Sequence, residues 1–352
     1  MAYVAGGSKG ELRKAKRQLA TVIDLNKCLG CQTCVVACKN LWTKRPGTEY
    51  MRWMNVTTYP GKGYPREYEK KGGGFVKGEA RPGKLPTLVD SGDDFQFNHR
   101  EVYYEGKGQT VHLHPVSKAT GEAPEWGYNW DEDQGGGRWP NPFFFYLARM
   151  CNHCTNPACL AACPTNAIYK REQDGIVLVD QERCKGHRHC VEACPYKAVY
   201  FNVESQTSEK CILCFPRVEK GIAPACNRQC PGRIRSFGYL DDPKSQVHQL
   251  VRKWKVALPL HAEYGTQPNI YYVPPLGARG FGPDGEATDK SRIPLETLEG
   301  LFGPGVKRVL GVLREEREKA RSGKGSELMD ILISKKWSDR FGGFTQEPLT
   351  QS

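Results

Sequence analysis

The sequence predicts an α+β fold in which short strands and short helices surround cysteine-rich loops. Two observations support this prediction. Fifteen cysteines fall into four groups with none left over, and alternating apolar segments lie beside those groups. With 352 residues, 39% of them hydrophobic, the chain is long enough for two or three domains, and its 38 glycines and 24 prolines indicate many loops.

The four cysteine groups are variations on one spacing. The first, CLGCQTCVVACKN, has the pattern C-x2-C-x2-C-x3-C over residues 28–38. The second, over 151–163, is two residues longer in the middle, and the fourth, over 211–230, has eleven residues in its middle gap. The third, CKGHRHCVEACP at 184–195, has His187 where the pattern has its second cysteine.

This bunching indicates metal sites rather than disulfides, because one turn of chain must present several thiolates to one centre. The run C-x2-C-x2-C-x3-C-P is the one that holds iron–sulfur clusters in bacterial ferredoxins. Structural zinc uses pairs of C-x2-C knuckles without a third cysteine two residues on, so zinc is the less favoured alternative. Covalent haem would need C-x2-C-H, which the sequence lacks.

Strand-like segments accompany the cysteine groups. ATVIDLNK at 20–27 precedes the first group, GIVLVD at 175–180 precedes the third, and AVYFNV at 198–203 follows it. The order of strand, cysteine loop, short helix and strand is that of a ferredoxin, and it occurs twice. We therefore predict two ferredoxin-like modules that carry four iron–sulfur clusters, with a long irregular insertion and a C-terminal docking arm.

The groups are expected to pair, because in two-cluster ferredoxins the fourth cysteine of each run ligates the other cluster. Groups two and three are only twenty residues apart and form an inner pair, which leaves groups one and four as an outer pair. The predicted ligand sets are Cys28, Cys31, Cys34 and Cys230; Cys38, Cys211, Cys214 and Cys226; Cys151, Cys154, Cys159 and Cys194; and Cys163, Cys184 and Cys190, with His187 at the vacant position.

The corresponding domain boundaries follow from these sets. Residues 16–58 and 204–240 form the outer module, 146–203 the inner module, and 59–145 an insertion that packs on a partner. Residues 241–352 are predicted to be an arm that docks on partner subunits, partly because aromatic residues, which are enriched at interfaces, occur near its end: Trp337, Phe341 and Phe344. Within the arm we expect a helix behind Pro304 that ends at the charged run REEREKARSGKG, and a second helix capped by Ser326.

The formal charge of +12 could suggest a nucleic-acid partner, but that count treats every thiol as neutral. Thiolates in clusters would add buried negative charge, and basic residues beside the ligands would balance it: Lys27, Lys39, Lys185, Arg188, Lys197 and Lys210. We therefore expect no nucleic-acid partner. The densest apolar stretch, PFFFYLA at 142–148, is far shorter than the ~20 residues of a membrane span, so we also expect no direct membrane insertion.

By these motifs, residues 20–240 resemble the iron–sulfur subunits of the molybdenum enzymes related to nitrate reductase and DMSO reductase. The chain as a whole is most similar to the beta subunits of the hydrocarbon dehydrogenases that act on ethylbenzene or on sterol side chains. The resemblance implies a heterotrimer with a catalytic molybdenum-cofactor subunit and a haem b subunit. This chain would pass electrons from the first to the second, or serve a related nitrate, selenate, chlorate or dimethylsulfide enzyme instead.

The resemblance also implies three [4Fe–4S] clusters and one [3Fe–4S] cluster. In nitrate reductase relatives a tryptophan commonly occupies the position of His187, and the cluster there has three irons. Because imidazole can ligate cluster iron, as in Rieske centres, two interpretations are open. In one His187 is a bystander beside a [3Fe–4S] cluster, which we favour, and in the other it is the fourth ligand of a [4Fe–4S] cluster.

The chain itself is expected to convert no substrate. A competing interpretation is an enzyme with its own flavin or substrate pocket, but the sequence has no dinucleotide fingerprint, nucleophile elbow or carboxylate pair to support it. The N-terminus has no apolar signal-peptide segment. Since the resembling complexes work in the periplasm, we expect export as a folded passenger of a catalytic subunit with a twin-arginine signal, with a cytoplasmic location as the alternative.

Overall fold

A computed structural model describes residues 15–91, 95–98, 100–105, 115–117 and 135–347 of the chain. The strands are β1 (Leu19–Asp24), β2 (Met54–Tyr59), β3 (Phe75–Val76), β4 (Glu79–Ala80), β5 (Phe95–Phe97), β6 (Pro115–Ser117), β7 (Phe145–Met150), β8 (Ile168–Lys170), β9 (Val177–Val179), β10 (Val199–Asn202), β11 (Thr207–Lys210), β12 (Arg235–Tyr239), β13 (Leu258–Pro259), β14 (Ile270–Val273), β15 (Arg279–Phe281) and β16 (Ala287–Ser291). The α-helices are α1 (Thr33–Trp42), α2 (Leu88–Ser91), α3 (Ala158–Ala161), α4 (His189–Ala193), α5 (Phe215–Val218), α6 (Ala225–Arg228), α7 (Gln246–His248), α8 (Leu295–Phe302), α9 (Val306–Arg321) and α10 (Glu327–Ile333). The mixture of helices and strands agrees with the predicted class.

Strand β1 is the centre of a four-stranded sheet with the order β12-β1-β14-β13. It pairs antiparallel with β12 and parallel with β14, and all six of its residues are buried. Alternate residues belong to two apolar clusters, Leu19 and Ile23 to one and Ala20 and Val22 to the other. Because successive side chains of a strand point to opposite faces, both faces of this strand are covered. The strand predicted before the first cysteine group is confirmed.

Two hairpins lie beside the third cysteine group. β8 pairs with β9 and β10 pairs with β11, both antiparallel. β9 and β10 are the strands predicted from GIVLVD and AVYFNV, and both predictions are confirmed.

A strand pair connects the two predicted modules. β2 of the outer module pairs antiparallel with β7 of the inner module along its whole length, from Met54 opposite Met150 to Tyr59 opposite Phe145. One apolar cluster contains buried cysteines from all four groups. The modules therefore share a core, and their boundaries stay a prediction.

The C-terminal region packs on its own chain and does not extend as a free arm. β14 lies in the central sheet, Phe341 is fully buried, and the ring of Phe344 lies 5.0 Å from that of Phe237. These aromatic side chains therefore bury their area within this chain, where the sequence suggested a partner surface. Contact of the region with a partner stays a prediction.

Both predicted C-terminal helices are present. Ser326 accepts a hydrogen bond from the Met329 amide and caps α10, as predicted. Helix α9 buries Val306 and Leu313 and continues through the charged run to Arg321, where the sequence suggested an earlier end. The charges lie mainly on its exposed face, so they do not oppose the helix. None of the helices within the described ranges is long and apolar enough to cross a membrane.

Part of the predicted insertion lies against the inner module. The Gly74 amide donates to Ala193 O at 2.9 Å, and the Gly83 amide donates to Glu192 O at 3.1 Å. Gly73 has a φ of +112°, and a Cβ atom there would lie 2.6 Å from Ala193 O. The glycine run thus permits a close backbone approach to α4. Much of residues 92–134 lies outside the described ranges.

A buried histidine joins this insertion to the C-terminal region. The ring of His261 contacts Glu263 Oε1 at 2.7 Å and Glu69 Oε1 at 3.0 Å. Burial lowers the pKa of His261, but the hydrogen bonds and charges of the two carboxylates outweigh burial and raise it. The stabilisation of the folded protein by these ion pairs is therefore fully present below the pKa of a free histidine. It is lost as the pH rises through the raised pKa of His261.

We expect His261→Gln to destabilise the protein by about 2 kcal/mol at pH 5.5, the scale of a charged hydrogen bond, and by much less at pH 9. Thermal unfolding of the purified complex at the two pH values measures the difference. His248→Gln is the control, since that ring contacts the backbone carbonyl of Leu240 and no carboxylate of the residues that the structure describes. An equal loss at both pH values in His261→Gln would show that the ion pairs contribute nothing.

Candidate iron–sulfur sites

The last two cysteines of each group are four residues apart and lie on or beside one helical turn. The pairs are Cys34 and Cys38 in α1, Cys159 and Cys163 at α3, Cys190 and Cys194 at α4, and Cys226 and Cys230 at α6. Four residues of α-helix rise about 6 Å. Each turn can therefore present one thiol to each of two neighbouring sites.

The first predicted set comes together from opposite ends of the module. The thiol of Cys28 interacts electrostatically with those of Cys34 and Cys230, and Cys34 also interacts with Cys31. Burial raises the pKa of Cys28 to about 11. Between the first two ligands Gly30 has a φ of +65°, and a Cβ atom there would lie 2.6 Å from the Tyr146 ring, so the loop requires glycine.

The second set lines a small, partly open cavity with about 300 Å3 of empty space. Cys38, Cys211, Cys214 and Cys226 all line it. Burial and the neighbouring thiols raise the pKa of Cys38 well above its usual value. Trp42 Nε1 donates a hydrogen bond to Cys214 Sγ at 3.1 Å, which would stabilise a thiolate there.

The third set lines a cavity with about 360 Å3 of empty space. Its members are Cys151, Cys154, Cys159 and Cys194, and burial raises the pKa of Cys154 to about 12. His153 lines the same cavity and is 1% exposed.

The His153 ring has one unused donor. Its Nδ1 accepts a hydrogen bond from the Val177 amide at 3.1 Å, and burial lowers its pKa well below the usual value. The neutral ring therefore carries its proton on Nε2, which has no partner among the described residues. A buried donor without an acceptor in this cavity fits a site that holds a sulfur-rich group.

The fourth set contains three thiols. Cys190 interacts electrostatically with Cys163 and Cys184, and burial raises its pKa to about 12. Ser208 contacts two of the three thiols. Its hydroxyl lies 3.3 Å from Cys190 Sγ, and its amide donates to Cys184 Sγ at 3.3 Å. His187 is exposed and stacks on the ring of His189, with centroids 6.2 Å apart.

Interactions between sets give their order. Cys38 of the second set interacts with Cys34 of the first, and Cys211 of the second interacts with Cys151 of the third. The third and fourth sets share the turns at α3 and α4. The sets therefore follow one another in numerical order from the first to the fourth.

The donor sets fit iron–sulfur clusters. Within the part of the chain that the structure describes, no three His, Cys, Asp or Glu side chains converge closely enough for a single metal ion. Four thiols around one cavity are instead the ligand set of a [4Fe–4S] cluster. Burial holds most of these thiols protonated while no cationic centre is bound, so cluster binding must displace protons. The individual ligand assignments stay predictions.

Buried cations lie near the thiols, and they include two of the six predicted basic residues, whereas Lys185 and Arg188 are exposed. Lys197 and Lys210, both predicted, are 1% and 2% exposed and donate to backbone carbonyls. Sequence reasoning missed Lys170, which is 1% exposed and donates to Cys154 O at 3.1 Å, and Arg235, which is fully buried. Both lie in strands away from the cysteine runs, so no spacing signal marks them.

This fold and these sites define an iron–sulfur protein of the ferredoxin-like kind. A sequence model of the 4Fe-4S dicluster domain matches residues 142–240. The beta subunit of selenate reductase from Thauera selenatis is 57% identical over 332 residues, which cover 93% of this chain and 99% of the relative. The chlorate reductase beta subunit of Ideonella dechloratans is 57% identical over 333 residues, covering 93% and 99%. The respiratory nitrate reductase beta subunit of Haloferax mediterranei is 53% identical over 324 residues, covering 90% of each.

The chain belongs to the iron–sulfur beta subunits of the molybdoenzyme family that includes the nitrate, selenate and chlorate reductases. It is an electron-transfer subunit of an oxidoreductase complex, as the resemblance implied.

Of two finer predictions, the one about the substrate is less favoured than its alternative, and the one about export is wrong. The relatives named above belong to oxyanion reductases, and the beta subunit of dimethylsulfide dehydrogenase from Rhodovulum sulfidophilum is 54% identical over 327 residues, so the relatives favour the stated alternative over a hydrocarbon dehydrogenase. The prediction of export to the periplasm is wrong. It rested on resemblance to periplasmic complexes, whereas the matching relatives include a respiratory nitrate reductase, and nothing in these matches indicates export of this chain.

Proposed function

We propose that this chain carries three [4Fe–4S] clusters and one [3Fe–4S] cluster and connects a haem b subunit with a catalytic molybdenum-cofactor subunit. The complex would reduce a small inorganic oxyanion, so electrons would run toward the catalytic subunit. The predicted ligand sets and module boundaries are part of this proposal. The observation that carries it is the succession of four thiol sets through one core, with neighbouring sets joined by single helical turns.

The role of the chain's residues is to hold and separate the clusters. When bound, the clusters supply one-electron chemistry. The cysteines give each site its charge, and the buried cations Lys170, Lys197 and Lys210, which donate hydrogen bonds to backbone carbonyls, offset that charge. The apolar core around the second and third sets keeps water away from them, which affects their reduction potentials.

The substrate class is supported by the names of the relatives and can be tested by the direction of electron flow. We expect the reduced complex to be reoxidised by selenate, chlorate or nitrate, followed by cluster absorbance in the visible range. Ethylbenzene or a sterol should not reduce the oxidised complex. Reduction by either hydrocarbon would overturn the oxyanion proposal and restore the hydrocarbon interpretation.

Subunit composition tests the partners. A complex purified through a tag on this chain should contain molybdenum and haem b on separate polypeptides, identified by mass. This chain, separated from its partners with its clusters intact, should accept electrons from dithionite and convert none of these substrates. Turnover by the separated chain would show that it has an active site of its own.

A further inference from the structure

Arg235 occupies an unusual position at the start of β12, in the middle of the core. Its side chain is fully buried, and no carboxylate of the described residues forms an ion pair with it. Its hydrogen-bond acceptors are sulfur atoms. One terminal nitrogen lies 3.3 Å from Met54 Sδ and 3.7 Å from Cys34 Sγ, and the other lies 3.9 Å from Met150 Sδ. Nε has no partner in the described part of the chain.

A buried charge without a counter-charge is costly, so the fold must supply negative charge nearby. Thiols from two predicted sets interact with Arg235 and would provide that charge as cluster thiolates: Cys28, Cys34 and Cys230 from the first set, and Cys226 from the second. A guanidinium is not deprotonated in proteins, so Arg235 is a permanent positive charge between two neighbouring sites.

The register of the sheet fixes this placement. Arg235 lies opposite Ile23 at the end of β1 that leads into the first cysteine loop. Its carbonyl accepts a hydrogen bond from Arg340 at 3.1 Å. The backbone of Arg235 is therefore held on both sides, and its side chain is enclosed in the core away from solvent.

We propose that the buried positive charge of Arg235 raises the reduction potentials of both the first and the second cluster. A fixed positive charge favours the reduced, more negative state of each cluster, and the low dielectric of the core makes that interaction strong. The strongest interactions of Arg235 with thiols are with members of the first and second sets, so the potentials of the third and fourth clusters should change less. This inference rests on the proposed cluster assignments.

The test is a redox titration of the purified complex followed by electron paramagnetic resonance. The first and second cluster signals are assigned beforehand from their changes in Cys31→Ser and Cys214→Ser. Arg235→Met removes the charge at similar length, and Arg235→Lys keeps it. We expect both potentials to fall in Arg235→Met and to stay near the original values in Arg235→Lys. Arg149→Met is the matched control, because this buried arginine bonds the carbonyls of Tyr64 and Tyr196.

Each outcome decides the matter. Unchanged potentials in Arg235→Met, or equal shifts in all four clusters, would overturn the inference while leaving the cluster assignments standing. If Arg235→Met and a further neutral variant, Arg235→Gln, do not retain the first and second clusters, the iron content of each variant is measured instead. Retention in Arg235→Lys alone would support a requirement for charge, and loss in all three variants would show that only the packing of arginine matters. Signals that do not follow the Cys31→Ser and Cys214→Ser assignments would instead reject the proposed ligand sets.

Discussion

Cys34→Ser and Cys38→Ser are expected to lose different clusters, although the two residues are one helical turn apart in α1. Cys34 faces Cys28 and Cys230, whereas Cys38 faces Cys211, Cys214 and Cys226. Each variant should lose about four iron atoms per chain and one of two distinct paramagnetic signals. Because the four sets follow one another in a row, loss of either the first or the second cluster should interrupt electron flow between the partner subunits.

Iron analysis and electron paramagnetic resonance of the reduced complex measure this difference. Val36→Ser, an exposed position between the two cysteines, is the control and should change no signal. If both cysteine variants abolish the same signal, each run holds its own cluster and the reciprocal pairing is incorrect.

Replacing His187 by cysteine should convert the fourth cluster from three irons to four. The site offers three thiols, and His187 stands at the vacant ligand position of the run. A shell made only of thiolates favours the oxidised state, so the new four-iron cluster should have a lower potential than the original. The signal of an oxidised [3Fe–4S] cluster should disappear, and electron transfer from the haem partner should slow while the other three clusters stay unchanged.

His187→Ala separates the two interpretations of this residue. The ring is exposed and stacks on His189, which is consistent with a bystander, so the alanine variant should keep the native signal. His189→Ala is the matched control for loss of the stacking. A native four-iron cluster that loses an iron in His187→Ala, but not in His189→Ala, would identify His187 as a ligand.

Local patterns were enough to predict several elements. Alternating apolar residues predicted β1, β9 and β10, and the side chain of Ser326 predicted the start of α10, because these features depend on neighbours a few residues away. The cysteine spacing predicted metal sites for the same reason, since one loop presents most ligands of a site. A basic residue beside a ligand, such as Lys197, could likewise be assigned to charge balance from its position in the run.

Other features depend on parts of the chain that are far apart in sequence. The pairing of β2 with β7 joins the modules across the insertion, and Phe341 and Phe344 fill this chain's own core. Neither the strand pairing nor the burial of these aromatic residues has a local sequence signal. An apolar segment can pack on any complementary surface, and only the assembled fold determines which surface it contacts.

The buried cations show most clearly the difference between features that local sequence predicts and features that depend on tertiary contacts. A charged residue in a strand predicts an exposed position, yet Arg235 and Lys170 are buried. The sequence by itself determined the cysteine spacing from which cluster sites were predicted. Only the tertiary structure decided that Arg235 would lie between thiols from residues 28, 34, 226 and 230, since the energy of a buried charge depends on what surrounds it in space.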